Sequence, residues 1–267
     1  MKFTAFAALA LASSTEAFSP VTRSNGASAT ALEAVRQPIM AGNWKMNPAT
    51  EDDAISLSTG LTKLLGDETC PLDDENPLCT EVVLFPPFPF ISKVKDAVEE
   101  VGITVGAQSI FFEDKGAFTG SVSASMVDSI GCEYVLCGHS ERRTIFSDDD
   151  DAINRKVLKV LTSGMKPILC IGETKNEYDL NIKNEVCAMQ LSRDLAGVTK
   201  EQMADVVIAY EPVWAIGTGL VCGSQEASKS DSSEDSTVVV AYRVTKSHTR
   251  ACFSTVWRSI LQQPTNF

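Results

Sequence analysis

Histidine is scarce in this chain: only His139 and His248 occur in 267 residues. The eight cysteines are scattered, with no Cys-x-x-Cys and no Cys/His pair at ligand spacing. That excludes a zinc centre of the common kinds, and no other metal site is indicated. A disulfide framework is equally foreign to a chain this long and apolar. Cys137 and Cys170 fall in strand-like runs and read as buried thiols. Cys70 and Cys79 flank an acidic, proline-containing loop, where a bridge stays open. Positive charge is also in deficit, 23 Lys and Arg against 35 Asp and Glu. The net charge of −12 argues against nucleic acid or an acidic membrane as partner. It leaves room for an anionic metabolite, because a few convergent donors set the field at a site. No Gly-x-Gly-x-x-Gly follows the first strand-like run, so a dinucleotide-binding fold is disfavoured. Beyond the apolar run 5–12, itself too short for a mature membrane span, no segment has transmembrane character.

What is present is an alternation. Apolar, strand-like runs lie at 39–42, 81–85, 103–107, 134–137, 167–171 and 206–210. Helical spacing predicts helices over 51–65, 89–101, 121–130, 150–161 and 175–193, with a short one at 200–204. At 44% hydrophobic the chain can bury the core such a series needs. Serial strand and helix mean a parallel sheet with right-handed crossovers. Periodicity leaves an open doubly wound sheet and a (β/α)8 barrel as alternatives. The acidic run Ser147-Asp148-Asp149-Asp150-Asp151 reads as a helix start rather than a metal site.

Three strand ends carry chemistry. The first is Asn43-Trp44-Lys45. An ammonium held there can meet a phosphate or a developing enolate. His139 follows the fourth strand and precedes Ser140 and Glu141. The positive end of a helix beginning there would disfavour an imidazolium and leave a neutral ring able to donate to a carbonyl. Glu211 ends the sixth strand, before Pro212. A carboxylate in an apolar site suits a general base for a carbon-bound proton. The run from Val213 to Gly219 has a rigid start, an apolar tip and a glycine-rich end, the parts of a closing lid.

Asn43 and Lys45, the run Cys137-Gly138-His139-Ser140-Glu141-Arg142-Arg143, and the run Tyr210-Glu211-Pro212-Val213-Trp214-Ala215-Ile216-Gly217-Thr218-Gly219 occur in that order. Together they closely resemble the triosephosphate isomerases, from about Pro38 to about Cys222. The resemblance implies an α/β fold, a (β/α)8 TIM barrel, and interconversion of dihydroxyacetone phosphate and glyceraldehyde 3-phosphate through an enediol. It implies Asn43 and Lys45 as substrate-binding residues, His139 as the electrophile, Glu211 as the base and Gly217 as a lid donor to the phosphate. Glu141 and Cys170 match supporting positions. Gln108 and the run around Thr119 match the loop that crosses to a second subunit, hence a homodimer. No metal or organic cofactor is implied.

The pattern stops after Cys222. The family expects a seventh strand ending in Tyr-Gly-Gly-Ser and an eighth ending in Gly-Gly. Here no Gly-Gly occurs, and Gly223 is the last glycine of the chain. The run 223–237 is polar and linker-like, and 237–244 can form one strand. The expectation is an incomplete barrel over 38–222, strands one to six recognisable and seven and eight not, with two open edges. The remainder, 223–267, reads as a divergent tail or the product of a shifted reading frame. Residues 1–37 pair an apolar run with a Ser/Thr/Ala-rich stretch holding Arg23, Arg36 and one acid, Glu33. They read as a signal plus transit presequence and resemble those of plastid proteins, with plain secretion or a cytosolic location as alternatives.

Overall fold

The computed structural model describes residues 39–65, 80–215 and 237–243. All of them belong to the unit Val35–Phe267; the presequence reading of 1–37 lies outside the described residues.

Strand β1 (Ile39–Asn43) leads to α1 (Glu51–Leu65), whose first turn carries Glu51, Asp52 and Asp53 against the positive end of the helix. The Thr50 hydroxyl accepts the N–H of Asp53 and caps it. β2 (Glu81–Phe85) stops at Pro86-Pro87. A 3-10 turn at Phe88–Phe90 precedes α2 (Ile91–Val98), which buries Ile91, Val94 and Val98. A second 3-10 turn at Glu99–Val101 ends at left-handed Gly102. The expected 89–101 helix is thus one α-helix between two tighter turns. β3 (Thr104–Ala107) and α3 (Ala124–Asp128), capped by Ser123, come next. β4 (Tyr134–Cys137), α4 (Ser140–Ile145), α5 (Asp150–Thr162, capped by Asp149) and β5 (Lys166–Ile171) complete the middle. The acidic run therefore caps and opens α5, as its composition suggests.

The expected 175–193 helix is two. α6 (Lys175–Asp179) begins with a capping box between Thr174 and Glu177, and α7 spans Lys183–Asp194. Asn181 separates them at φ 56°, a left-handed conformation that asparagine tolerates better than most residues. A 3-10 turn at Gln202–Ala204 precedes β6 (Val207–Tyr210).

Strands β1 to β6 pair in sequence order, all parallel. A seventh strand, β7 (Thr237–Arg243), pairs antiparallel with both β1 and β6 and closes the barrel. The two open edges expected from the sequence are therefore occupied. Unpaired edge N–H and C=O groups are costly, and the β-branched run Thr237-Val238-Val239-Val240 supplies a strand to pair them. Among the described residues the (β/α)8 series remains incomplete, with six parallel strands and one reversed strand where the family pattern has two.

Alternate residues point into the barrel. Val83 and Phe85 of β2, Tyr134 and Leu136 of β4, and Ile168 and Cys170 of β5 form the inner core. The intervening residues, with the helix faces, form the outer core. Phe85 and Tyr134 are fully buried. Truncating Phe85 to alanine would cost about 3–5 kcal/mol. This packing makes the strand ends a rigid rim, and chemistry in a parallel barrel is built on that rim.

Candidate active site

The ends of β1, β2 and β3 are tied together first. The Asn43 side-chain oxygen accepts the N–H of Lys45 at 2.9 Å. Lys45 sits at φ 53°, unusual for a non-glycine residue. Gln108, just past β3, donates to the Lys45 carbonyl at 2.7 Å and to the Phe85 carbonyl at 2.9 Å. These bonds hold the strained turn. They aim Lys45 across the rim, where Nζ meets Glu141 Oε1 at 2.9 Å. Gln108 is thus a half-buried clamp on the Lys45 turn. Thr119 is exposed, beside exposed Phe118.

His139 caps α4. Its Nδ1 accepts the N–H of Glu141 at 3.2 Å. A ring nitrogen that accepts carries no proton, so the imidazole is neutral with its hydrogen on Nε2. Nε2 lies 3.3 Å from Glu211 Oε1. Both residues are buried, and neither atom has a hydrogen-bond partner among the described residues. The other carboxylate oxygen of Glu211, Oε2, accepts the N–H of Ser140 at 3.1 Å, at the positive end of α4.

The backbone beneath Glu211 is equally fixed. Its N–H donates to the Ile171 carbonyl at 2.8 Å. A Cβ on Gly172 would stand 1.8 Å from the Glu211 carbonyl, so only glycine lets β5 and β6 approach there. Cys170 is buried below, against the Glu211 carboxylate. Burial first, and that negative neighbour second, push its thiol well above the usual range. Burial likewise pushes the Cys137 thiol up to about 12. Both cysteines are packing thiols.

One element of the site was not read from the sequence. Glu173 is fully buried. The Tyr210 hydroxyl donates to its carboxylate, 2.9 Å from both oxygens, and the Trp214 indole N–H donates at 2.8 Å. Tyr178 of α6 stacks on Trp214 with ring centroids 4.2 Å apart. Tyr210 and Trp214 flank Glu211 and Pro212, so this cage grips the chain on both sides of Glu211. An acid two residues beyond β5 was the only sequence signal for it. Gly217 and the rest of the glycine-rich lid lie outside the described residues.

The rim thus assembles Asn43, Lys45, Gln108, His139, Glu141, Cys170 and Glu211 in one place. A buried carboxylate 3.3 Å from a buried imidazole nitrogen, with an ammonium close by, is a set of groups suited to proton transfer next to a carbonyl. Residues 38–249 match the sequence profile of the family described as "Triosephosphate isomerase". That match extends past Cys222, where the motifs end. The chain is 44% identical over 195 residues to "Triosephosphate isomerase" of Clostridium perfringens, covering 73% of this chain and 74% of that protein. It is 43% identical to the protein of that name from Clostridium botulinum over 195 residues, with the same coverage. To that of Prosthecochloris aestuarii it is 42% identical over 208 residues, 78% of each chain. The chain belongs to the triosephosphate isomerase family.

Proposed function

We propose that this chain is a triosephosphate isomerase that interconverts dihydroxyacetone phosphate and D-glyceraldehyde 3-phosphate, with Glu211 as base and His139 as electrophile. The chemistry is the one for which the family is the standard example. The supporting observation is the 3.3 Å approach of His139 Nε2 to Glu211 Oε1, both buried and both without another partner among the described residues. The imidazole N–H is set to donate to the substrate oxygens. The carboxylate is set to take a proton from one carbon and return it to the next. A carbon chain cannot lie in a 3.3 Å gap. Glu211 therefore leaves the Ser140 N–H when substrate enters. Lys45 balances the charge that develops on the enediolate, and Glu141 holds Lys45 in place through their ion pair. Asn43 and Gln108 keep the Lys45 turn in register. The Glu173 cage holds the chain on both sides of Glu211, and the run 213–219, including Gly217, is assigned as the lid over the phosphate. Glu211→Gln is the test: kcat should fall by about a thousandfold, within the usual range for losing a general base. A fall of less than about threefold would end this assignment.

A second reading has its own observation. β7 runs antiparallel, with Thr237 opposite Asn43 at the rim. No glycine follows Gly223, so the glycine-rich loops the family places there are missing from the sequence. A catalytically silent barrel, retained for binding or dimerisation, fits those facts. Measurable isomerase turnover by the purified chain excludes it. Two further proposals rest on sequence and exposure: a homodimer formed through the exposed loop at Thr119 and Phe118, and delivery to a plastid by residues 1–37.

A further inference from the structure

The Arg143 side chain ties together the two strand ends that carry the base and the electrophile. Its Nε donates to the Gly138 carbonyl at 2.8 Å, and Nη2 donates to the Cys170 carbonyl at 3.2 Å. Gly138 directly precedes His139. Cys170 directly precedes Ile171, whose carbonyl receives the N–H of Glu211 at 2.8 Å. One guanidinium therefore spans β4 and β5 beneath the His139–Glu211 pair. Its own position is set from α5 and α7. Nη1 donates to Asp150 Oδ1 at 2.8 Å, and Nη2 donates to Asp194 Oδ2 at 2.6 Å. Gly138 adopts φ 75°, and a Cβ there would stand 2.8 Å from Nη2. The backbone is shaped to let the guanidinium pass.

We propose that Arg143, anchored by the fully buried Asp194, is a positioning residue that sets the geometry of His139 and Glu211, and that the charge of Asp194 makes this positioning depend on pH. The proposal rests on the isomerase reading above. Asp194 has no exposure, and its Oδ1 has no hydrogen-bond partner among the described residues. Among the described residues, the charged groups that act on it are Arg143 from α4 and Asp150 from α5; Arg193 of its own helix pairs with Asp150 at 3.1 Å. The thiols of Cys137 and Cys170, on β4 and β5, are pushed up by burial and stay neutral at physiological pH. Burial, opposed by Arg143 and reinforced by Asp150, pushes the Asp194 carboxyl up to about 7. Protonation there would weaken the grip on Nη2 and, through it, on the Cys170 carbonyl.

Asp194→Asn keeps the shape and removes the charge; Arg143→Lys keeps the charge and loses the fork. Each should lower kcat by about ten- to a hundredfold, the scale of a small misplacement of catalytic groups, with KM within about twofold. The parental kcat should fall as pH drops through about 7, whereas Asp194→Asn should be low and flat. The double variant should be little worse than either single one. An Asp194→Asn enzyme with parental kcat and the parental pH profile overturns the proposal, as does full additivity. A parental chain without turnover would count against the isomerase reading instead. The clamp would then be read from the ring-nitrogen NMR signals of His139, assigned against His248→Gln. A shift in Asp194→Asn supports the proposal, and unchanged signals overturn it.

Discussion

Glu211 Oε2 accepts the backbone N–H of Ser140 at 3.1 Å, across 71 positions of sequence. The base of the proposed reaction thus rests on the first residue of α4, directly beside the His139 imidazole. Ser140→Pro would delete that donor while suiting the first position of a helix. His139, at φ −51° and ψ 141°, already has the backbone a residue before proline requires. The variant should fold but lose about 1–3 kcal/mol, the cost of a buried carboxylate oxygen without its donor. The loss should shrink in the presence of a phosphorylated substrate analogue, because the bound state no longer uses the bond. Thermal unfolding with and without the analogue checks this; an equal loss in both would show that Glu211 does not leave Ser140.

The cage at Glu173 makes a prediction about the segment that carries Glu211. Trp214→Phe removes the indole donor to Glu173 and leaves the Tyr210 hydroxyl as the donor described there. The expected result is about a tenfold fall in kcat/KM, with Glu173 imperfectly satisfied and the segment around Glu211 loosened. Steady-state kinetics measure it, and an unchanged kcat/KM would remove the cage from the mechanism.

Stability should carry an acid-favoured component from Asp194. Its carboxyl stands at about 7 in the folded chain because burial outweighs the pull of Arg143. An unfolded aspartate titrates near 3.9, so between about pH 4 and pH 7 the folded state holds more protons than the unfolded one. This group's contribution therefore falls as pH rises through that window. Asp194→Asn should flatten the dependence. Urea midpoints taken from pH 4 to pH 8 test the sign.

The end of the chain makes a prediction about phosphate. β7 is reversed, and no glycine follows Gly223, so the sequence lacks the glycine-rich loops the family places there. Replacing 223–267 by the C-terminal segment of the Clostridium perfringens relative should raise kcat as well as lower KM, because phosphate binding is used to stabilise the transition state. Equal kinetics for both forms would show that the chain's own tail suffices.

Much of this was legible in the sequence where the cause is local. Glu81–Phe85 and Tyr134–Cys137 are apolar runs stopped by Pro86 and Gly138, and both strands have those bounds. Asn43, Lys45, His139 and Glu211 sit at or just past strand ends, and the barrel brings such ends together. The break at Asn181 rests on a residue that tolerates the left-handed conformation, a weak signal inside a run with helical spacing. Two further features depend on distant partners and left no local trace. The direction of β7 depends on which edges it meets, not on the string Thr237–Arg243. The bond from Arg143 to Asp194 joins residues 51 positions apart.

The most direct measurement follows the proton itself. Dihydroxyacetone phosphate incubated with the purified chain in deuterated water should gain deuterium at the carbon next to its carbonyl, seen by NMR. Glu211→Gln should slow that exchange by about a thousandfold. Exchange at the same rate in both proteins would contradict the account.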